Sequence, residues 1–104
     1  MLNNNSLLDD LTPMIFQLSQ NYPNPFKDRT TIKYCIAYKT KVKLKVYDEE
    51  HKEIETLVDE EKNPGTYEVV IHPSVFSQQS SGDKYFYRLE AGDYKCEKKM
   101  ELIK

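Results

Sequence analysis

Few side chains in this chain can do chemistry, and their spacing decides which chemistry is open. There are two histidines, His51 and His72, and two cysteines, Cys35 and Cys96. A metal site needs several converging ligands. His51 stands in DEEHKE with Asp48, Glu49 and Glu50, but no Cys or His follows at ligand spacing, so the segment reads as a charged hairpin tip. Thiol catalysis needs a base beside the sulfur and a pocket, and nothing in the sequence marks either. The run Asp59-Glu60-Glu61 adjoins Lys62 and a turn, which reads as a solvated face. Three glycines in the whole chain leave no glycine-rich phosphate loop. Lys41, Lys43 and Lys45 form one basic stripe, and Lys95, Lys98 and Lys99 another. With 15 basic and 17 acidic residues and a net charge of -2, these stripes make no general case for nucleic acid. No enzyme, cofactor or metal is expected.

The elements that carry these residues follow a period of two. In FQLSQ, Phe16 and Leu18 share a face. In TTIKYCI, Ile32, Tyr34 and Ile36 oppose Thr31, Lys33 and Cys35. KVKLKVYD is the clearest case, with Val42, Leu44 and Val46 inward and three lysines outward, as in a half-buried antiparallel strand. KEIETLVDE breaks parity at Ile54, Leu57 and Val58, which suggests a bulge or a helical turn. NPG (Asn63 to Gly65) is a turn by chemistry, and TYEVVIH then puts Tyr67, Val69 and Ile71 on one face. Ser77 to Asp83 reads as a loop. KYFYRLE alternates Tyr85, Tyr87 and Leu89 against Phe86, Arg88 and Glu90, and Ala91 to Asp93 reads as a tight hairpin turn. In YKCEKKMELIK, Tyr94, Cys96, Met100 and Leu102 take the apolar side. Cys35 lies on a polar side and Cys96 on an apolar one, which disfavours a disulfide. About seven short strands and no long helix predict an all-β fold, an immunoglobulin-like β-sandwich, with a small barrel as the lesser alternative.

A length of 104 residues implies one domain with a thin core. Residues 1–13, rich in Asn, Ser, Asp and Leu, read as a linker or frayed arm ended by Pro13, with the folded domain over 14–104. The start lacks the basic and apolar regions of a signal peptide, and no segment approaches a membrane helix, so no membrane insertion is expected. NYPNPF (Asn21 to Phe26) is the oddest stretch. Pro23 and Pro25 fix φ and remove donors, which suits a rigid corner before a strand. Tyr22 and Phe26 are placed to lay their rings over the open end of a sandwich; at Tyr22–Pro23 trans is the stronger expectation, with cis as the alternative.

The segments FQLSQNYPNPF, TTIKY, KVKLKVYD, LVDEEKNPGTYEV, YFYRLEAGDY and KKMELIK occur in this order. Together they resemble the C-terminal sorting domain of cargo of the type IX secretion system (the Por secretion system), type A, found in Bacteroidetes and their relatives. The likeness spans about Phe16 to Lys104. The motif positions are Asn21, Tyr22, Pro23, Asn24, Pro25, Phe26, Gly65, Tyr67, Gly82, Tyr85, Tyr87, Arg88, Leu89 and Gly92.

The resemblance implies an immunoglobulin-like sandwich that serves as an address, not as an enzyme. The implied partners are a cargo domain attached on the N-terminal side, the outer-membrane translocon and a sortase-like peptidase. The implied location is the periplasm in transit, then the outer-membrane surface or the medium. The absence of a signal peptide implies an excised domain. The recognition candidates are Lys98, Lys99, Met100, Leu102, Ile103 and Lys104. On parity Met100 and Leu102 belong to the core, Lys98 shares their face and either lies where the strand runs past the core or snorkels, and Lys99 and Lys104 are best placed for direct contact.

Three departures from the family pattern stand out. Lys27-Asp28 replaces Asn-Pro, Glu50-His51 replaces Leu-Gly at a turn and so asks for a different turn geometry, and Ser81 to Tyr85 carries one extra residue. The alternative reading is an immunoglobulin-like binding or assembly module, similar to that of the flagellar hook-capping protein.

Overall fold

Side-chain alternation decides which face of each strand turns inward, and pairing then decides which strands share a sheet. The computed structural model describes residues 15–72, 74, 76 and 82–103. Its strands are β1 (Gln17–Leu18), β2 (Thr30–Ile36), β3 (Thr40–Tyr47), β4 (Glu53–Lys62), β5 (Gly65–Ile71), β6 (Lys84–Ala91) and β7 (Tyr94–Glu101). One antiparallel sheet has the order β1-β2-β5 and the other β4-β3-β6-β7. The chain therefore crosses between sheets after β2, β4 and β5, as in immunoglobulin-like sandwiches. The expected all-β sandwich is what forms, with two open sheets and no closed barrel. The expected arm over residues 1–13, Ser77 to Ser81 of the expected loop, and Lys104 lie outside the described residues.

The core comes from the inward parity of the strands. Ile32, Tyr34, Ile36, Val42, Leu44, Val46, Tyr85, Tyr87 and Leu89 are all buried. A fully buried side chain of this kind is worth about 1.5–3 kcal/mol. Tyr67 and Val69 are inward on parity but only half-buried. Among the described residues β5 pairs only with β2, so its inner face lies at the margin of the sandwich. Tyr67 compensates by stacking on Tyr34 with ring centroids 5.4 Å apart. The Lys62 ammonium covers the same ring at 4.8 Å from its centroid.

The broken parity of KEIETLVDE is a pair of bulges. Leu44 faces Val58, but Lys45 faces Thr56, so Leu57 is skipped; Val46 faces Glu55, but Tyr47 faces Glu53, so Ile54 is skipped. The skips let Ile54 be buried without shifting β3.

The turn between β3 and β4 answers the departure at Glu50-His51. Asp48 is buried, and its carboxylate accepts the N–H groups of Glu50 (2.8 Å) and Lys52 (2.9 Å). His51 takes φ 65°, the left-handed region where glycine is at ease. The residue change is thus absorbed at a left-handed histidine. Its ring stacks on Phe86 at 5.2 Å and 13°. Asp48 caps a turn, and among the described residues no three His, Cys, Asp or Glu side chains converge as metal ligands.

Candidate functional site

The recognition candidates fall on β7 and just beyond it, so the edge of this strand is the place to look. A two-residue turn, Gly92-Asp93, joins Ala91 to Tyr94. Gly92 adopts φ 60° there, as the first central residue of a type II′ turn requires. In such a hairpin the flanking residues exchange both backbone bonds, and alternate pairs repeat this. Leu89/Cys96, Tyr87/Lys98 and Tyr85/Met100 are therefore bonded pairs. The N–H and C=O groups of Lys95, Glu97, Lys99 and Glu101 consequently point away from β6, toward the open edge of the sheet.

NYPNPF meets the C-terminal half of that edge. Gln20 Nε2 donates to the Lys99 carbonyl (2.7 Å). The Glu101 N–H donates to Asn24 Oδ1 (2.9 Å). The Glu101 carbonyl accepts from the Phe26 N–H (2.9 Å), and the Ile103 N–H donates to the Phe26 carbonyl (2.7 Å). Phe26 and Leu102 form a short parallel bridge. The segment does for β7 what an added strand would do.

A buried polar hub holds this clamp in place. The Asn21 N–H donates to Tyr87 Oη (2.7 Å), and the Tyr87 hydroxyl donates to the Ser19 carbonyl (2.6 Å). Asn21 Nδ2 donates to Thr30 Oγ1 (2.9 Å) and to the Pro23 carbonyl (3.2 Å). Thr30 Oγ1 donates to that same carbonyl (2.8 Å). Burial pushes the Tyr87 hydroxyl up to about 12. Both Tyr22–Pro23 and Asn24–Pro25 are cis. Below the hub, Phe26 packs on Phe76 (5.8 Å) and Phe76 on Tyr85 (4.3 Å). The Tyr85 hydroxyl donates to the Gly82 carbonyl (3.1 Å), the tyrosine-corner arrangement of immunoglobulin-like sandwiches.

The expectation that both aromatics of NYPNPF cover the open end holds for Phe26 alone. Tyr22 is 81% exposed. Its backbone exchanges two bonds with Thr31, both 2.9 Å, and strand parity then turns its ring outward because Asn21 points in. The ring borders an open groove of about 390 Å³ lined by Ser19, Gln20, Thr31, Lys33 and Glu68.

The candidates themselves divide by parity. Met100 and Leu102 are buried, Lys98 is half-buried, Lys99 is exposed, and Ile103 is 51% exposed. Arg88 sits on the outer face, bound to Glu97 at 3.0 Å, with Tyr47 beneath its guanidinium at 5.0 Å. Leu89 is core, and Pro25 is exposed. Gly65 begins β5 opposite Ile36. Sequence reading missed Gln20, Thr30 and Phe76, and weighed Asp48 only as a metal ligand. The three polar residues have partners across turns or between sheets, and Phe76 lies outside any strand.

The strand order and tyrosine corner define an immunoglobulin-like sandwich, and the comparisons with known proteins agree on fold. The chain is similar to part of dimeric latent PorU from Porphyromonas gingivalis, known from a crystal structure, with a TM-score of 0.63 and 15% identity. The likeness covers 89% of this chain and 10% of that one, so this chain spans about a tenth of PorU. At this identity it concerns the fold. No protein-family model matches the chain, and no curated protein does.

Proposed function

We propose that this chain is a type A C-terminal sorting domain of type IX secretion: a non-catalytic address that follows an exported cargo and is read by the outer-membrane translocon. The observation that carries this reading is the meeting of NYPNPF and KKMELIK. These blocks stand farthest apart in the motif string, yet they are bound to each other through Asn24–Glu101, Phe26–Glu101 and Phe26–Ile103, with Gln20, just before NYPNPF, on the Lys99 carbonyl. They present one rigid surface, with Lys99 and Ile103 outward. Likeness in fold to a Por protein is compatible with this, since type IX secretion is also called the Por system. On this reading the chain crosses the periplasm behind its cargo and reaches the cell surface or the medium, where a sortase-like peptidase acts on it.

The test is a fusion of the whole chain to the C-terminus of a periplasmic reporter in a type IX-competent host. Export of the reporter is expected. A reporter that stays periplasmic, beside one exported by a known sorting domain, overturns the reading.

The exposed Tyr22 ring and its groove favour a second reading, a lateral binding module. Removing Ile103 and Lys104 loses the Ile103–Phe26 bond but leaves Met100 and Leu102 in the core, so it separates the two once circular dichroism shows the shortened chain folded. An address loses export, whereas a lateral face keeps its ligand.

A further inference from the structure

The edge of β7 is only half closed. Gln20, Asn24 and Phe26 occupy the outward groups of Glu101 and the carbonyl of Lys99. The outward N–H and C=O groups of Lys95 and Glu97, and the N–H of Lys99, have no hydrogen-bond partner among the described residues. These five groups alternate in the spacing that a strand recognises.

The side chains along this edge give it a sign. Lys95, Lys98 and Lys99 form no ion pair among the described residues. Of the other described lysines, Lys33, Lys39, Lys41, Lys45 and Lys62 are paired with carboxylates. Lys27, Lys43, Lys52 and Lys84 are also unpaired among the described residues but stand singly on separate segments. Glu97 is taken by Arg88 at 3.0 Å. The other edges are less suited to docking. β1 is two residues long. β4 is bulged twice, and its Glu53, Asp59, Glu60 and Glu61 are already paired with lysines. β5 carries one charged side chain, Glu68, bound to Lys33 at 3.4 Å.

We infer that the open half of β7, Lys95 to Lys99, is a docking edge for an acidic extended segment of a partner protein, which adds to the sheet as a strand in line with the NYPNPF clamp. The chain already binds itself in this way at Lys99 and Glu101, so the edge is preformed and the partner continues it. Backbone bonds supply attachment, and the three free lysines select carboxylates on the partner. The inference names the partner chemistry of the strand singled out above, and it rests on the sorting reading.

The test uses the reporter fusion of the whole chain. Glu97→Pro removes an outward N–H without breaking a bond to β6, and edge strands tolerate proline. The triple variant Lys95→Glu/Lys98→Glu/Lys99→Glu reverses the charge and leaves the backbone intact. Each is expected to lower the exported fraction roughly tenfold, as loss of one buried bond or of charge pairing would. Lys41→Glu/Lys43→Glu, on the outer face away from this edge, is expected to export normally.

If Glu97→Pro melts early, the triple variant decides. Normal export of a folded Glu97→Pro or of the triple variant overturns the inference while the sorting reading stands. A parent fusion that fails to export overturns both. A purified chain that dimerises, and becomes monomeric in Glu97→Pro, assigns the edge to a second copy and also overturns the inference.

Discussion

Tyr87 joins three parts of the molecule through one oxygen: the β6 core, the Ser19 carbonyl and the Asn21 N–H. Replacing it by phenylalanine leaves that buried N–H unpaired, which costs about 1–3 kcal/mol, to be read from denaturant melts. The hydroxyl also sets a pH limit. Its folded pKa, about 12, lies above the ordinary value near 10. The neutral form is therefore favoured by folding. Its contribution is complete below about pH 10 and is lost as pH rises through 12, amounting to about 2–3 kcal/mol. Tyr87→Phe is expected to shrink the alkaline loss of stability between those values. Unchanged alkaline melts would remove the hub from the account. Sequence parity placed Tyr87 in the core, but its hydroxyl partners lie 66 and 68 residues away, beyond what periodicity can reveal.

Strand β7 shows what an element owes to a segment that is not a strand. The outward backbone groups of its C-terminal half are held by Asn24, Gln20 and Phe26. Asn24→Ala frees the Glu101 N–H at an exposed site, so the expected loss is small, about 0.5–1.5 kcal/mol. It is best seen as hydrogen exchange at Glu101 and Ile103 that runs roughly two- to tenfold faster, with the β3 amides unchanged. Equal exchange at Glu101 would mean that the carboxamide is not holding the strand. The strands themselves were legible because KVKLKVYD and KYFYRLE alternate cleanly. The bulges in β4 appeared only as broken parity, since a skipped residue changes phase without changing composition. NYPNPF was legible as a corner but not as a clamp, because its partners are backbone groups, which carry no sequence signature. Tyr22 was placed inward for the same reason: the pairing with Thr31 that turns it out is a backbone pairing.

At the scale of the whole molecule, two thin sheets share one layer of side chains. Leu44 is fully buried, in a central strand between β4 and β6. Leu44→Ala is expected to cost about 2–5 kcal/mol, a large share of the about 5–15 kcal/mol that holds a typical domain. A melt showing less than about 1 kcal/mol of loss would contradict the placement of this residue at the centre of the core.

The clamp has a further consequence at this scale. Gln20 and Asn24 find their partners 79 and 77 residues downstream. A chain without Glu101 leaves Asn24 and the Phe26 N–H without these partners, and one without Lys99 also leaves Gln20 without its downstream carbonyl. Its edge stays unfinished however well the remaining strands pair. Closing the clamp therefore requires β7 to be in place, so this corner of the sandwich is finished only after every other described strand has been made.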